Sequence, residues 1–67
     1  MNLAKSLKKA LLERNKSQLD LAKDLGISTV HLNRLANNKA QMSPAIMERI
    51  ASQFGMKVSE FVKLGED

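Results

Sequence analysis

Between Ser28 and Lys39 the chain reads "STVHLNRLANNK". At 100° per residue, Val30, Asn33, Arg34 and Asn37 share one side of a helix, with Thr29 and His31 on its edges and Leu32, Leu35 and Ala36 opposite. The polar side is equipped for recognition. An asparagine amide donates and accepts at once and matches the N6/N7 edge of adenine, an arginine fork matches O6/N7 of guanine, and a valine packs on a thymine methyl. A helix built only for solubility favours Glu–Lys pairs one turn apart, yet no acid occurs between Ser28 and Lys39. Acids there would face phosphates. The same residues offer no bond-making chemistry. His31 is the one histidine, and no nucleophile or acid is fixed beside it by spacing. With no cysteine and a single histidine, no metal-ligand set is expected. Neither an enzymatic activity nor a cofactor is expected.

The elements that hold this face can be read from their ends. Asn2 is a candidate cap for a first helix whose stripe is Leu3, Leu7, Ala10 and Leu11, with Lys5, Lys8 and Lys9 opposite and "RNKS" as its end. Leu12 falls off the stripe and is assigned a secondary contact. Ser17 caps a second helix, and "SQLD" has the form of a capping box. Leu21, Ala22 and Leu25 face inward, and Gly26 stands where a left-handed residue is wanted. Ser28 caps the third helix, which ends near Asn37 and Asn38. Ser43 caps a fourth, with Pro44 at its first position. Its stripe is Ile46, Met47, Ile50, Ala51 and Phe54, and Gly55 stops it. Ser59 is assigned as the cap of a short fifth helix through Phe61 and Val62, leaving 65–67 as a frayed tail. No segment alternates with a strand period, so the fold class is all-α with five helices in a single domain, 1–67.

The second and third helices, about 17–38, carry a further constraint. Only "GIS" separates them. A turn that short needs a small residue where the helices touch, a positive φ, and an apolar plug; Ala22, Gly26 and Ile27 supply these in turn. This is the sequence form of a helix–turn–helix, whose second helix enters the DNA major groove. An ordinary αα-corner is the plainer alternative.

Charge agrees with an anionic partner. The net charge of +4 is uneven: residues 1–42 hold eight Lys or Arg against three acids, and residues 43–67 hold three against four. Lys8, Lys9, Lys16 and Lys39 are assigned a sequence-independent attraction to phosphate. Hydrophobic residues make up 43%, enough for a core. No run of about 18 apolar residues occurs, so no membrane partner is expected. The lysines of "MNLAKSLKKALLERN" interrupt any signal-peptide core, which makes the expected location cytoplasmic.

The segment Ser17–Lys39, and more loosely Leu3–Leu64, resembles the lambda-repressor-like helix–turn–helix family of phage Cro and repressor proteins. Its most specific parts are "SQ" opening the second helix, "LAKDLGIS" through the turn, and "NNK" after the third helix. The resemblance implies five helices, with the second and third binding DNA. It implies that Gln18 braces the backbone and the first base-contacting side chain, that Thr29, Val30, Asn33 and Arg34 read bases, and that Asn37, Asn38 and Lys39 clamp phosphate. Apart from the resemblance, Ser28 is assigned as a DNA-backbone contact, and His31 as a phosphate contact or a plain surface residue. It implies a two-fold homodimer on double-stranded DNA with a palindromic operator, usually in repression. Two departures stand out. Asn38 replaces the glycine common after the third helix, and Leu11 with Ala36 occupies the region where many relatives carry a buried Arg–Glu pair.

Met56, Val58, Phe61 and Leu64 cluster near the least basic end and are candidate dimer contacts; a monomer that buries them all is the alternative. No second domain that would hold a small-molecule effector is expected. An antitoxin or adapter that binds a protein partner is the competing function.

Overall fold

Each of the first four helices begins on a side chain that takes up the amide at its third position. Asn2 Oδ1 accepts from Lys5 N at 3.0 Å, Ser17 Oγ from Asp20 N at 3.1 Å, Ser28 Oγ from His31 N at 3.0 Å, and Ser43 Oγ from Ile46 N at 3.2 Å. A cap of this kind contributes about 1 kcal/mol. The computed structural model describes residues 2–66. Among them it contains α1 (Leu3–Glu13), α2 (Gln18–Leu25), α3 (Thr29–Ala36), α4 (Pro44–Gln53) and α5 (Val58–Leu64), and no strand. The class read from the sequence is the class observed.

The helix ends follow one rule as well. Asn15, Gly26, Asn38 and Gly55 all have positive φ, between 52° and 71°. After each, an amide returns to a carbonyl five residues back: Lys16 to Leu11, Ile27 to Ala22, Lys39 to Arg34 and Met56 to Ala51, at 2.8–3.1 Å. This is the Schellman arrangement, which satisfies carbonyls that a helix end would otherwise leave open.

α5 departs from its sequence reading. It starts at Val58, so Ser59 lies inside its first turn rather than capping it. The Glu60 carboxylate reaches back instead, Oε1 accepting from Lys57 N at 3.1 Å. An acid at the third position thus satisfies the helix entrance without a serine cap.

Every helix contributes one large side chain with no exposure: Leu7, Leu21, Leu32, Ile50 and Phe61. Ala10, Ala22, Ala36 and Ala51 are buried between them and let the helices approach closely. α1 packs on α3 and α5, α2 on α3 and α4, and α4 on α5. Leu12 makes no secondary contact: it is 83% exposed, because it points away from both neighbours of α1. Phe61 is not available as a dimer contact, since it fills the centre of the core.

Gly65 also corrects an expectation. Rather than opening a frayed tail, it is buried, and a Cβ there would collide with the Asn2 carbonyl oxygen and Ser6 Oγ. Ser6 is itself fully buried, its Oγ lying 3.3 Å from the carbonyl oxygens of both Asn2 and Val62. Glu66 is exposed, and Asp67 lies outside the described residues. A contact absent from the sequence reading joins α4 to α2, where Arg49 Nη2 donates to the Leu25 carbonyl.

Gly26 has φ +71°, and a Cβ added there meets nothing within 4 Å. The cost of a side chain is therefore conformational alone. Gly26→Ala is expected to lower unfolding free energy by about 1–2 kcal/mol, and Gly26→Asn by less, because asparagine tolerates the left-handed region. Urea denaturation of the two variants measures both.

Candidate nucleic-acid interface

The recognition face is built on the turn. Ser17 caps α2 and sets Gln18 at its first position. The left-handed Gly26 and the Ile27–Ala22 return bond then reverse the chain, Ile27 packs partly buried against the core, and Ser28 caps α3. Buried Leu32, Leu35 and Ala36 decide which way α3 faces. Thr29, Val30, His31, Asn33, Arg34 and Asn37 are consequently all exposed.

Three amides on this face are joined. Asn33 Nδ2 donates to Gln18 Oε1 at 3.3 Å, and Asn37 Nδ2 donates to Asn33 Oδ1 at 3.1 Å and to the Asn33 carbonyl at 2.9 Å. Asn33 is held from both sides. One of its two Nδ2 protons and one lone pair of Oδ1 remain unused. A donor and an acceptor side by side are what the N7/N6 edge of adenine requires. The resemblance implied that Gln18 braces the first base-contacting side chain; the structure joins it to Asn33. The sequence reading gave Asn37 a phosphate role and missed its grip on Asn33, although Asn33 and Asn37 stand one turn apart, a spacing at which such amides meet.

Around this trio the remaining groups stand free. The Arg34 guanidinium has no hydrogen-bond or ion-pair partner among the described residues, and Val30 is 69% exposed. Ser28 Oγ accepts from His31 N, which leaves its hydroxyl proton available. Asn38 takes φ +60° in the position where glycine is common, and Lys39 follows it, exposed. No acid occurs between Asp24 and Glu48.

Not every assigned cation is available. Lys16 is tied to Asp24 in an ion pair, a partner that helical spacing within one element does not reveal. Lys8 and Lys9 lie on α1 beside the end of α3. Met56 and Leu64 lie elsewhere, in a shallow groove with Arg14, Glu60 and Lys63; Val58 is half-buried at the start of α5. Among the described residues, no group of His, Asp or Glu could hold a metal ion, and no helix is long and apolar enough to cross a membrane.

Two short helices reversed at a left-handed glycine, the second presenting amide and guanidinium groups to solvent, define a helix–turn–helix unit. A family model described as helix-turn-helix matches residues 7–61, and the chain belongs to that family, the lambda-repressor/Cro-like helix–turn–helix proteins. It is a DNA-binding regulator in class. No curated protein and no solved structure matches the chain.

If Asn33 reads a base pair and Gln18 and Asn37 orient its amide, their loss must register at that same base pair. Gln18→Ala and Asn33→Ala are each expected to relax preference at one shared position of the bound sequence. A double-mutant cycle on DNA affinity should give a coupling of about 0.5–3 kcal/mol. Additive effects at two different positions would contradict the shared role.

Proposed function

We propose that the protein is a Cro-like repressor that binds a palindromic operator as a homodimer, with α3 of each copy in successive major grooves about 34 Å apart. The observation that carries this reading is the braced Asn33 between unpartnered Arg34 and exposed Val30 on one face of α3. Arg34 reads guanine, Asn33 reads adenine, and Val30 covers a thymine methyl, with Thr29 at the entrance to the helix. Ser28, His31, Asn38 and Lys39 meet the phosphates around them, while the Asn37 amide, first given that role, is taken up by Asn33. Regulation works through protein concentration and operator occupancy in the cytoplasm of a prokaryotic or phage-infected cell, without a small-molecule effector.

The dimer forms through the end of the molecule away from α3. Met56, Val58 and Leu64 are half-buried there, and Arg14 and Lys63 flank Glu60 in the same groove. A two-fold interface sets each patch against its own copy, so basic and acidic groups of one copy meet their opposites on the other. Met56→Glu is expected to shift sedimentation towards monomer with unchanged helical circular dichroism, and to weaken binding to a full operator far more than to a half-site.

Selection from random duplexes tests the whole reading, and a two-fold symmetric consensus is the expected result. Against that consensus, Arg34→Ala should cost about 1–3 kcal/mol and relax one base position. A uniform loss on all sequences would make Arg34 a phosphate contact. Val30→Ala should relax discrimination at a thymine.

An antitoxin or adapter role has one observation in its favour: Leu12 and Leu19 are 83% and 53% exposed, away from the recognition helix. Its signature would be a tight protein complex together with DNA affinity that ignores sequence.

A further inference from the structure

α1 and α3 converge on a groove that neither helix makes alone. Its walls are Lys5, Lys8 and Lys9 from α1 and Asn37 and Asn38 from the end of α3, and the alanines Ala4 and Ala36 form its floor. Small side chains at the crossing let the helices approach, so the lysine stems stand above a shallow base. We propose that this groove seats one backbone phosphate of bound double-stranded DNA, gripped by Lys8 and Lys9. The proposal rests on the DNA-binding reading above and extends the contact surface onto α1.

Four observations support it. First, the lining contains cations and amides and no carboxylate. Lys8 and Lys9 form no ion pair among the described residues, in contrast to Lys16. Second, α1 turns its amino end to the groove, through Asn2 and Ala4, and has no acid in its first turn. That end carries about half a positive charge. The carboxyl end of α3 opposes it with a similar negative charge, but return bonds from Asn38 N and Lys39 N already occupy the Leu35 and Arg34 carbonyls, and the lysines outweigh the remainder.

Third, the groove continues the recognition face. Asn37 lines it and also holds the Asn33 side chain. Fourth, the dimensions fit. The eight residues of α3 span about 12 Å, and the major groove is about 12 Å wide. A helix of that length lying in the groove with its amino end on the base edges brings its far end to the phosphate wall, beside Lys8 and Lys9. Apolar lining of the kind that encloses a small molecule is missing apart from the two alanines.

The test is the salt dependence of binding to the selected duplex, with ethylation interference as a second readout. The double substitution Lys8→Gln, Lys9→Gln should reduce the log–log salt slope by about 1.8, since each of the two copies loses one phosphate at about 0.9 apiece. It should also remove one ethylation-sensitive phosphate from each half-site, with the base preference and circular dichroism unchanged. Lys57→Gln, on the loop before α5, should leave the slope as it is. If the double variant keeps the wild-type slope and interference pattern, the phosphate seat is refuted while DNA binding stands. If it alters base preference, the groove reads sequence and the proposal is equally wrong. If the wild type binds no duplex better than random DNA, the DNA reading fails and the phosphate seat fails with it.

Discussion

Across the left-handed Gly26, the Ile27 amide closes on the Ala22 carbonyl at 3.1 Å, and the direction of α3 follows from that bond. With the chain reversed in so few residues, α2 and α3 must touch, and the contact is possible because Ala22 is small and fully enclosed. Ile27 then packs against the core, Ser28 caps the next helix, and Leu32 enters the centre. The rotation of α3 about its own axis is thereby set, and with it the residues that face solvent. Gln18 reaches Asn33 only because α2 begins where it does.

The chain has no cysteine, and among the described residues no side-chain group is placed to hold a metal ion. Stability rests instead on one fully buried large side chain from each of five helices. Truncating such a residue to alanine costs about 2–5 kcal/mol, against a total stability of about 5–15 kcal/mol for ordinary domains. A chain this short therefore tolerates little loss at its centre. Well-satisfied ends compensate: serine or asparagine at four starts, and a left-handed asparagine or glycine at four stops. Asn15 and Asn38 take a role that glycine usually fills, since their short polar side chains make that conformation less costly than it is for other residues.

The parts of this architecture that are local in sequence were legible from it. Ser17, Ser28 and Ser43 announce their helices, Gly26 and Gly55 end theirs, and the stripes through Leu21, Leu32 and Ile50 point inward as read. What escaped depends on contacts between distant segments. Glu60 replaces Ser59 as the group that secures the start of α5, because the helix begins earlier than the serine. Leu12 is bare because it points away from the neighbours of α1, and Phe61 is enclosed where α5 packs on α1 and α4. The pairing of Lys16 with Asp24 and the reach of Arg49 to Leu25 likewise depend on how elements come together. On α3, residue types and helical phase were enough to place Asn33 and Arg34 on the exposed side. The amide chain that orients Asn33 needed three-dimensional structure to reveal it.

The clasp of Ser6 on the Val62 carbonyl, with Gly65 pressed against Asn2, joins segments 56 residues apart in the chain. Closing a loop of that length costs about 3.6 kcal/mol in chain entropy, apart from a constant term. The helix–turn–helix pair by contrast is assembled from neighbours. Folding is thus ordered by economy of chain: the DNA-reading unit can form from short-range contacts, while α5 is seated only once both ends of the sequence have met. The clasp ties the ends into one cooperative unit, since it holds α5, with its buried Phe61, against the start of α1.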